Sequence, residues 1–305
     1  MRSLRRESVP ACEVAMMNVR ETRAGAADVQ QWVLGAPSMS TVDRSVPGGV
    51  LARELSQYCA MLGDDALVLA HRLTEWGVRA LELEESAALG RIALDLVDQA
   101  RTLLHRAGEV EGAGRDEDRL AYARQAADFR NVRLVEIDCG PGPGGDFPTT
   151  AARLLLFAAW RHAVFERLVS SRDAVLADLA ANSLNRLARH RDHAAQWVIR
   201  FGDGGADPAR RMAAGFQRIW PLTAELFVPH PVEVRMDDLG CGVDPARVRD
   251  EVRGVLDEVS SVARLRLPEP PDFGAFARPG GRDGAHTGDF EFLIADLQYL
   301  ARSGG

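Results

Sequence analysis

Acidic and histidine side chains on long helices are the residues of this sequence that could hold a metal. A di-iron site in a four-helix bundle takes one glutamate from each of two helices and a Glu-x-x-His pair from each of the other two. The i, i+3 spacing places the carboxylate and the imidazole on one helix face. The sequence contains no Glu-x-x-His: Asp95-Leu-Val-Asp98 lacks a histidine, and Leu187-Ala-Arg-His190 lacks a carboxylate. We therefore expect this chain to hold no metal or cofactor of its own and to contribute no catalytic residue.

Five positions are expected to line the interior where such a site would lie. They are Asp65 on the first long helix, Asp95 on the second, Ala158 on the third, and Arg186 and His190 on the fourth. One interpretation is an acid–base cluster in which both aspartates reach Arg186, because a buried charge needs a partner. The other is that the aspartates merely border the apolar helix faces. His190 falls on the apolar face of its helix, which favours a buried, hydrogen-bonded histidine.

Other polar motifs give weaker signals. The loop from Arg282 to Thr287 contains Asp283 and His286, which suggests acid–base chemistry, although the glycine neighbours favour a turn. The glycine-rich segment 140–145 lacks the following lysine and the preceding strand of a phosphate-binding loop. The tryptophans are expected to be core or interface anchors.

Composition excludes several classes of function. The 305 residues carry a net charge of −7, which gives no support to nucleic-acid binding. All 37 basic residues are arginine, so a Schiff-base lysine and a phosphate-loop lysine are excluded. The four cysteines form no C-x-x-C pair, and no apolar run approaches the ~20 residues of a membrane span. We expect a cytoplasmic protein without nucleic-acid or membrane partners.

Apolar residues that recur at steps of three and four predict the helices that must position these side chains. The pattern is most regular in the fourth long helix, where it continues from Leu176 to Trp197 without a miss. The sequence predicts an all-α fold whose core is a four-helix bundle of residues 50–77, 84–107, 148–170 and 173–201. Additional helices are predicted at residues 116–135, 208–227, from Pro245 onward, and at 289–302.

Residues 1–48 lack this periodicity and contain several prolines and glycines. This composition indicates a disordered extension or a wrongly assigned start codon, with Met39 as a candidate start. We expect about the first 45 residues to be dispensable and the helical domain to span residues 49–303.

Several motifs, in this order along the chain, resemble the C subunits (PaaC) of bacterial ring-1,2-phenylacetyl-CoA epoxidases, also called phenylacetate-CoA oxygenases. The similarity covers about residues 51 to 302, and it is the combination of motifs that makes it specific. The motifs are LGDDALVLAHRLTEW (62–76), ELEESAALGRIALDLVDQAR (82–101), GRDEDRLAYARQAADFRNVRLVE (114–136), QWVIRFGDG (196–204), IWPLTAELF (219–227), GVDP (242–245) and GRDGAHT (281–287).

This resemblance implies a ferritin-like helical fold and a homologous partner, the catalytic A subunit. In that family the di-iron site belongs to the A subunit, which binds the CoA thioester and epoxidises the ring with electrons from a flavin and iron–sulfur reductase. The C subunit is a relative that has lost its metal ligands and serves as the structural partner. This sequence departs from the family pattern at Ala158, where an aspartate is usual, and at Arg186, where a glutamate is usual. It also has Gly288 and Asp289 where the family tends to have Glu-His.

Three functions are consistent with these observations. The first is a non-catalytic structural subunit, with a degenerate di-iron site, in a multicomponent monooxygenase of phenylacetate catabolism; a variant is a paralogous subunit acting on another acyl-CoA. The second is a divergent ferritin-like oxidase or oxygenase with unusual ligands, against which the missing Glu-x-x-His argues. The third is a stand-alone bundle that binds acyl-CoA.

Overall fold

The computed structural model of the protein describes residues 42–77, 82–140, 146–269, 273–276 and 278–303. Every described residue belongs to a single compact unit that begins at Val42. The predictions made for residues 1–41, including the start at Met39, lie outside the described residues, as does most of the glycine-rich segment 140–145.

Four long helices form the core, as predicted. They are α1 (Ala52–Gly77), α2 (Leu83–Glu111), α4 (Phe147–Leu168) and α5 (Ala174–Asp203). Helix α1 packs along α2, α4 packs along α5, and α2 faces α5 across the bundle. Because the connections within each pair are short, the paired helices run antiparallel. The described residues contain no strand, so the all-α prediction is confirmed, and the bundle is that of a ferritin-like fold.

The apolar periodicity explains which helix faces are buried. On α2 the residues at steps of three and four, from Leu89 to Ala107, are buried, and Arg91 and Asp98 on the other side are exposed. On α5 the regular face from Leu176 to Ala194 is buried. Helix α4 is buried on nearly all sides because α5, α6 (Ala206–Ile219) and α8 (Arg249–Val262) surround it.

The predicted helix at residues 116–135 is wrong beyond its first turns. Helix α3 spans Glu117–Tyr122, is capped by the Asp116 side chain, and is followed by two 3-10 turns. The carboxylate of Asp64 accepts a hydrogen bond from the backbone N–H of Arg130 (2.8 Å). Asp65 accepts one from the N–H of Val132 (2.8 Å). These tertiary bonds satisfy backbone donors that a helix would use internally, and they hold the segment in an irregular path.

Proline placement accounts for the other differences. The predicted helix at 208–227 ends at Ile219 and continues as a 3-10 segment, Trp220–Leu226, because Pro221 has no N–H to donate. Pro231, which could have stopped a helix, is instead the first residue of α7 (Pro231–Asp238). The predicted helix from Pro245 onward begins with a 3-10 turn, Pro245–Val248, and continues as α8, which buries Val252 and leaves Val262 exposed. The last helix, α9, spans Phe290–Ser303.

The boundary expected at residue 48 moves to residue 42. Arg44 donates to Glu109 on α2 (Nε to Oε1, 2.6 Å), and its carbonyl accepts from Arg106 (2.8 Å). The carbonyl of Gly48 accepts from Arg172 (3.1 Å). Residues 42–48 therefore pack on the helical domain rather than preceding it.

Among the described residues, no helix combines the length and the apolar character needed to cross a bilayer.

Candidate functional site

Three of the five positions expected to line the interior meet between α2 and α5. His190 Nε2 lies 2.9 Å from Asp95 Oδ2, and Arg186 contacts Asp95 Oδ1 at 3.3 Å. Arg186 also lies 3.7 Å from Asp98 Oδ2. The His190 side chain is 5% exposed and that of Asp95 is 27% exposed. The structure thus forms the acid–base cluster around Asp95, and His190 is a buried, hydrogen-bonded histidine.

The cluster keeps Asp95 ionised. Burial opposes the charge of this carboxyl group, but the hydrogen bond from His190 and the interaction with Arg186 outweigh burial. Together they hold the pKa of Asp95 below its ordinary value of 3.8. An ionised aspartate bound to a guanidinium and an imidazole is a stable ion-pair arrangement, and both carboxylate oxygens already have partners.

Arg161 on α4 is the interior residue that sequence reasoning missed. It is fully buried, donates from Nε to Gln99 Oε1 on α2 (2.8 Å) and from a terminal nitrogen to the carbonyl of Leu62 on α1 (3.1 Å). Its guanidinium also lies over the ring of Phe165, 4.6 Å from the centroid. Burial lowers the pKa of Arg161 to about 10, so the side chain still carries its charge near neutral pH. The available signal was an arginine three residues after Ala158, on the same face of the helix.

Ala158 is buried on α4 and brings no polar group to the interior. Arg161 lies on the same face, because residues three apart in a helix are neighbours. We call the five polar residues that link the long helices the bundle cluster; it consists of two sets of contacts, Asp95 with Arg186 and His190, and Gln99 with Arg161. Its members are Asp95, Gln99, Arg161, Arg186 and His190.

The expectation that Asp65 reaches Arg186 is wrong. Both oxygens of the Asp65 carboxylate are bound by Arg282, at 3.0 and 2.9 Å, and the pair is buried. Arg282 also donates to the carbonyls of Met61 (3.0 Å) and Arg130 (2.7 Å). A bidentate guanidinium in the loop before α9 is a closer partner for Asp65 than an arginine of α5.

The loop that contains Asp283 and His286 is built around buried carboxylates. Glu136 accepts hydrogen bonds from His286 Nδ1 (2.6 Å) and from the N–H of Thr287 (2.7 Å). Glu225 accepts from the N–H groups of Gly281 (2.6 Å) and Arg133 (2.7 Å). We call this set the Arg282 network. Its members are Asp65, Glu136, Glu225, Glu233, Arg282 and His286.

The Arg282 network connects motifs that lie far apart in the sequence. Asp65 belongs to LGDD, Glu136 to NVRLVE, Glu225 to TAELF, and Arg282 to GRDGAHT. Although burial opposes its charge, Asp65 and Glu233 raise the pKa of Arg282 above its ordinary value. The turn interpretation is confirmed for Asp283, which accepts from the N–H of Gly280 (2.9 Å) within a 3-10 turn, whereas His286 lies beyond that turn and bonds to Glu136.

The donors in the bundle interior do not fit a pair of iron ions. Asp95 is the carboxylate of the bundle cluster; Arg186 pairs with it, and a second guanidinium, that of Arg161, bonds to Gln99 one turn further along α2. Within the described part of the chain, three potential ligand atoms come within 4.8 Å of one another at one place: His162, Glu166 and Glu251. That group lies between α4 and α8, both glutamates are exposed, and Glu251 already pairs with Arg167 (2.9 Å).

Comparison with known proteins places the chain in a family. The phenylacetic acid catabolic protein family matches residues 41–304. The chain belongs to this family. Among its relatives, the C subunit of the 1,2-phenylacetyl-CoA epoxidase of Escherichia coli (strain K12) is 36% identical over 249 residues. The alignment covers 82% of this chain and 96% of the relative, so this family member matches that relative over nearly its whole length.

Proposed function

We propose that this chain is a non-catalytic structural subunit of a multicomponent monooxygenase that epoxidises the ring of phenylacetyl-CoA. Its partner is a homologous A subunit that holds the di-iron centre. The nearly full-length similarity to the C subunit of an epoxidase supports the choice of complex. The chemistry of the bundle cluster supports the division of labour between the two subunits.

The observation that carries the non-catalytic role is the pairing of Asp95. Its carboxylate oxygens are bound by His190 and Arg186, so a metal ion would have to displace an arginine. The buried guanidinium of Arg161 adds a second positive charge to the interior. Two divalent cations placed beside two guanidinium groups would meet like-charge repulsion at low dielectric.

The same side chains connect the long helices without a metal. Asp95 connects α2 to α5 through His190 and Arg186, and Arg161 connects α4 to α2 through Gln99 and to α1 through the Leu62 carbonyl. All four long helices are thereby linked through their interior. We infer that these contacts do in this chain what a metal centre does in a ferritin-like enzyme: they fix the spacing of the helices.

Co-expression with the homologous A subunit encoded in the same genome tests this proposal. We expect the wild-type chain to co-purify with the A subunit, iron content to follow the A subunit, and turnover of phenylacetyl-CoA to require both chains. The double variant Asp95→Ala/His190→Ala should still co-purify and support turnover. Arg210→Ala, which removes an exposed ion pair with Asp207, is the matched control. Loss of turnover by the double variant in an intact complex would show that the cluster contributes chemistry.

A second candidate keeps the structural role and changes the substrate. Ala158, Arg186 and the Gly288–Asp289 pair depart from the pattern of the epoxidase C subunits, which favours a paralogous complex that acts on another acyl-CoA. Assaying the co-purified complex with phenylacetyl-CoA and with aliphatic acyl-CoA thioesters distinguishes the two proposed substrates. Iron bound by the chain purified alone would instead indicate an oxidase with unusual ligands. Acyl-CoA binding by the isolated chain, measured by calorimetry, would indicate a stand-alone binding bundle.

A further inference from the structure

A cavity of about 170 Å³ lies between α4, α8 and the segment Trp220–Leu226. None of the residues of the bundle cluster or of the Arg282 network lines it. Its walls are mostly apolar and include three aromatic rings, from Trp220, Phe227 and Phe273. An apolar cavity of about 150 Å³ in a protein is large enough to bind benzene. The space therefore suits a single aromatic ring.

Arg249 gives this cavity a polar side. Its guanidinium lies over the ring of Phe273, with 4.3 Å between the guanidinium carbon and the ring centroid. Its Nε–H is buried and has no hydrogen-bond partner among the described residues. Two other polar side chains of the wall are engaged: Thr223 donates to the carbonyl of Trp220 (2.6 Å), and Arg253 pairs with Asp257 (2.7 Å).

A buried N–H without an acceptor is uncommon, and each such group calls for a partner. A guanidinium has donors and no acceptor, so its natural complement is a carboxylate, which when ionised has acceptors and no donor. Among the charged lining residues, Arg253 is paired with Asp257 and Asp250 is exposed, so the buried Nε–H of Arg249 is the polar group that a ligand would meet. Both the size of the cavity and this donor favour a small anion with an apolar body.

We propose that this cavity binds a small aromatic carboxylate. The ring lies among Trp220, Phe227 and Phe273, and the carboxylate accepts a charge-assisted hydrogen bond from Arg249. This binding belongs to the chain itself and does not depend on the pairing with an A subunit proposed above.

Titration of the full chain with phenylacetate and benzoate, followed by calorimetry and ligand-observed NMR, tests the proposal. We expect saturable one-to-one binding of the carboxylates. Phenylacetamide, a neutral molecule of the same shape as phenylacetate, should bind about tenfold more weakly, because it offers no charge to Arg249. Absence of saturable binding, or equal binding of the amide and the carboxylate, would overturn the proposal.

Two variants locate the site. Arg249→Gln should weaken carboxylate binding about tenfold and leave amide binding nearly unchanged, because it removes the charge and keeps most of the wall. Leu256→Phe should abolish binding of both ligands by filling the cavity. Arg247→Gln is the matched control, since this exposed arginine pairs with Asp237 outside the cavity. If Leu256→Phe fails to fold, as judged by helical circular dichroism and melting, Arg249→Gln decides alone. Wild-type affinity in Arg249→Gln would overturn the assignment.

Discussion

The bundle cluster and the Arg282 network both bury charge, but they compensate it differently. In the Arg282 network, Arg282 faces both oxygens of Asp65, and the carboxylates of Glu136 and Glu225 each accept at least two hydrogen bonds. In the bundle cluster, Arg161 has no directly bonded carboxylate among the described residues, and one nitrogen of Arg161 and one of Gln99 are buried without a partner there. The Arg282 network therefore satisfies its buried charges with direct partners and should stabilise the fold. The bundle cluster buries polar nitrogen atoms without partners, so it should contribute less to the free energy of unfolding.

The largest expected effect comes from breaking the Arg282 network. Arg282→Met leaves Asp65 as a buried carboxylate without its guanidinium, and we expect a loss of about 3–5 kcal/mol in the free energy of unfolding. Urea unfolding followed by circular dichroism measures this loss. Arg253→Met, at an exposed ion pair, should change it by less than about 0.5 kcal/mol. Equal effects of the two substitutions would show that the network is not a stabilising element.

A smaller effect is expected from the segment 42–48. A chain of residues 49–305 lacks the carbonyls of Arg44 and Ser45 that accept from the buried Arg106. We expect it to be about 1–3 kcal/mol less stable than a chain of residues 42–305, because a buried donor loses its acceptors. The melting temperature should fall by several degrees, at about 2–4 °C per kcal/mol for a chain of this size. Identical melting curves for the two chains would show that residues 42–48 do not stabilise the helical domain.

The bundle cluster should leave a small pH-dependent signature. Because the pKa of Asp95 is lower in the folded chain than its ordinary value of 3.8, its stabilising contribution is complete above that value. The contribution is lost as pH falls through the folded-state pKa. The stability difference between the wild type and Asp95→Asn should therefore shrink below about pH 4. A difference that grows on acidification would mean that Asp95 is not ionised in the cluster.

The smallest effect is expected at Arg161, and it sharpens the comparison with Arg282. Replacing a buried charge by an apolar side chain of similar volume is often neutral or stabilising when no bonded counter-charge is stranded. Arg161→Met should therefore change the free energy of unfolding by less than about 1 kcal/mol, against about 3–5 kcal/mol for Arg282→Met. A loss as large as that of Arg282→Met would show that the bonds of Arg161 to Gln99 and to the Leu62 carbonyl stabilise the fold as strongly as the Asp65–Arg282 pair does.

The sequence predicts the four long helices because their apolar faces repeat over many turns. It predicts His190 as a buried histidine for the same reason. The partner of Asp65 was not predictable, because Arg282 lies 217 residues away and neither residue has a local pattern that selects the other. Helix α7 was missed because Pro231 can either stop a helix or begin one, and the capping contacts of His230 decide between them. Arg161 was missed because periodicity identifies a buried helix face but does not say which polar side chain that face accommodates.

The bond between Asp65 and Arg282 has a consequence for synthesis of the chain. Asp65 lies in the first long helix, and its guanidinium partner is translated 217 residues later. A nascent chain can form the α1–α2 and α4–α5 pairs early, since those contacts are local. During all of that time, Asp65 has no counter-charge from Arg282. The nascent helical bundle is therefore expected to be incompletely packed around Asp65 until Arg282 has been translated. A chain that terminates before residue 282 should be sensitive to proteases.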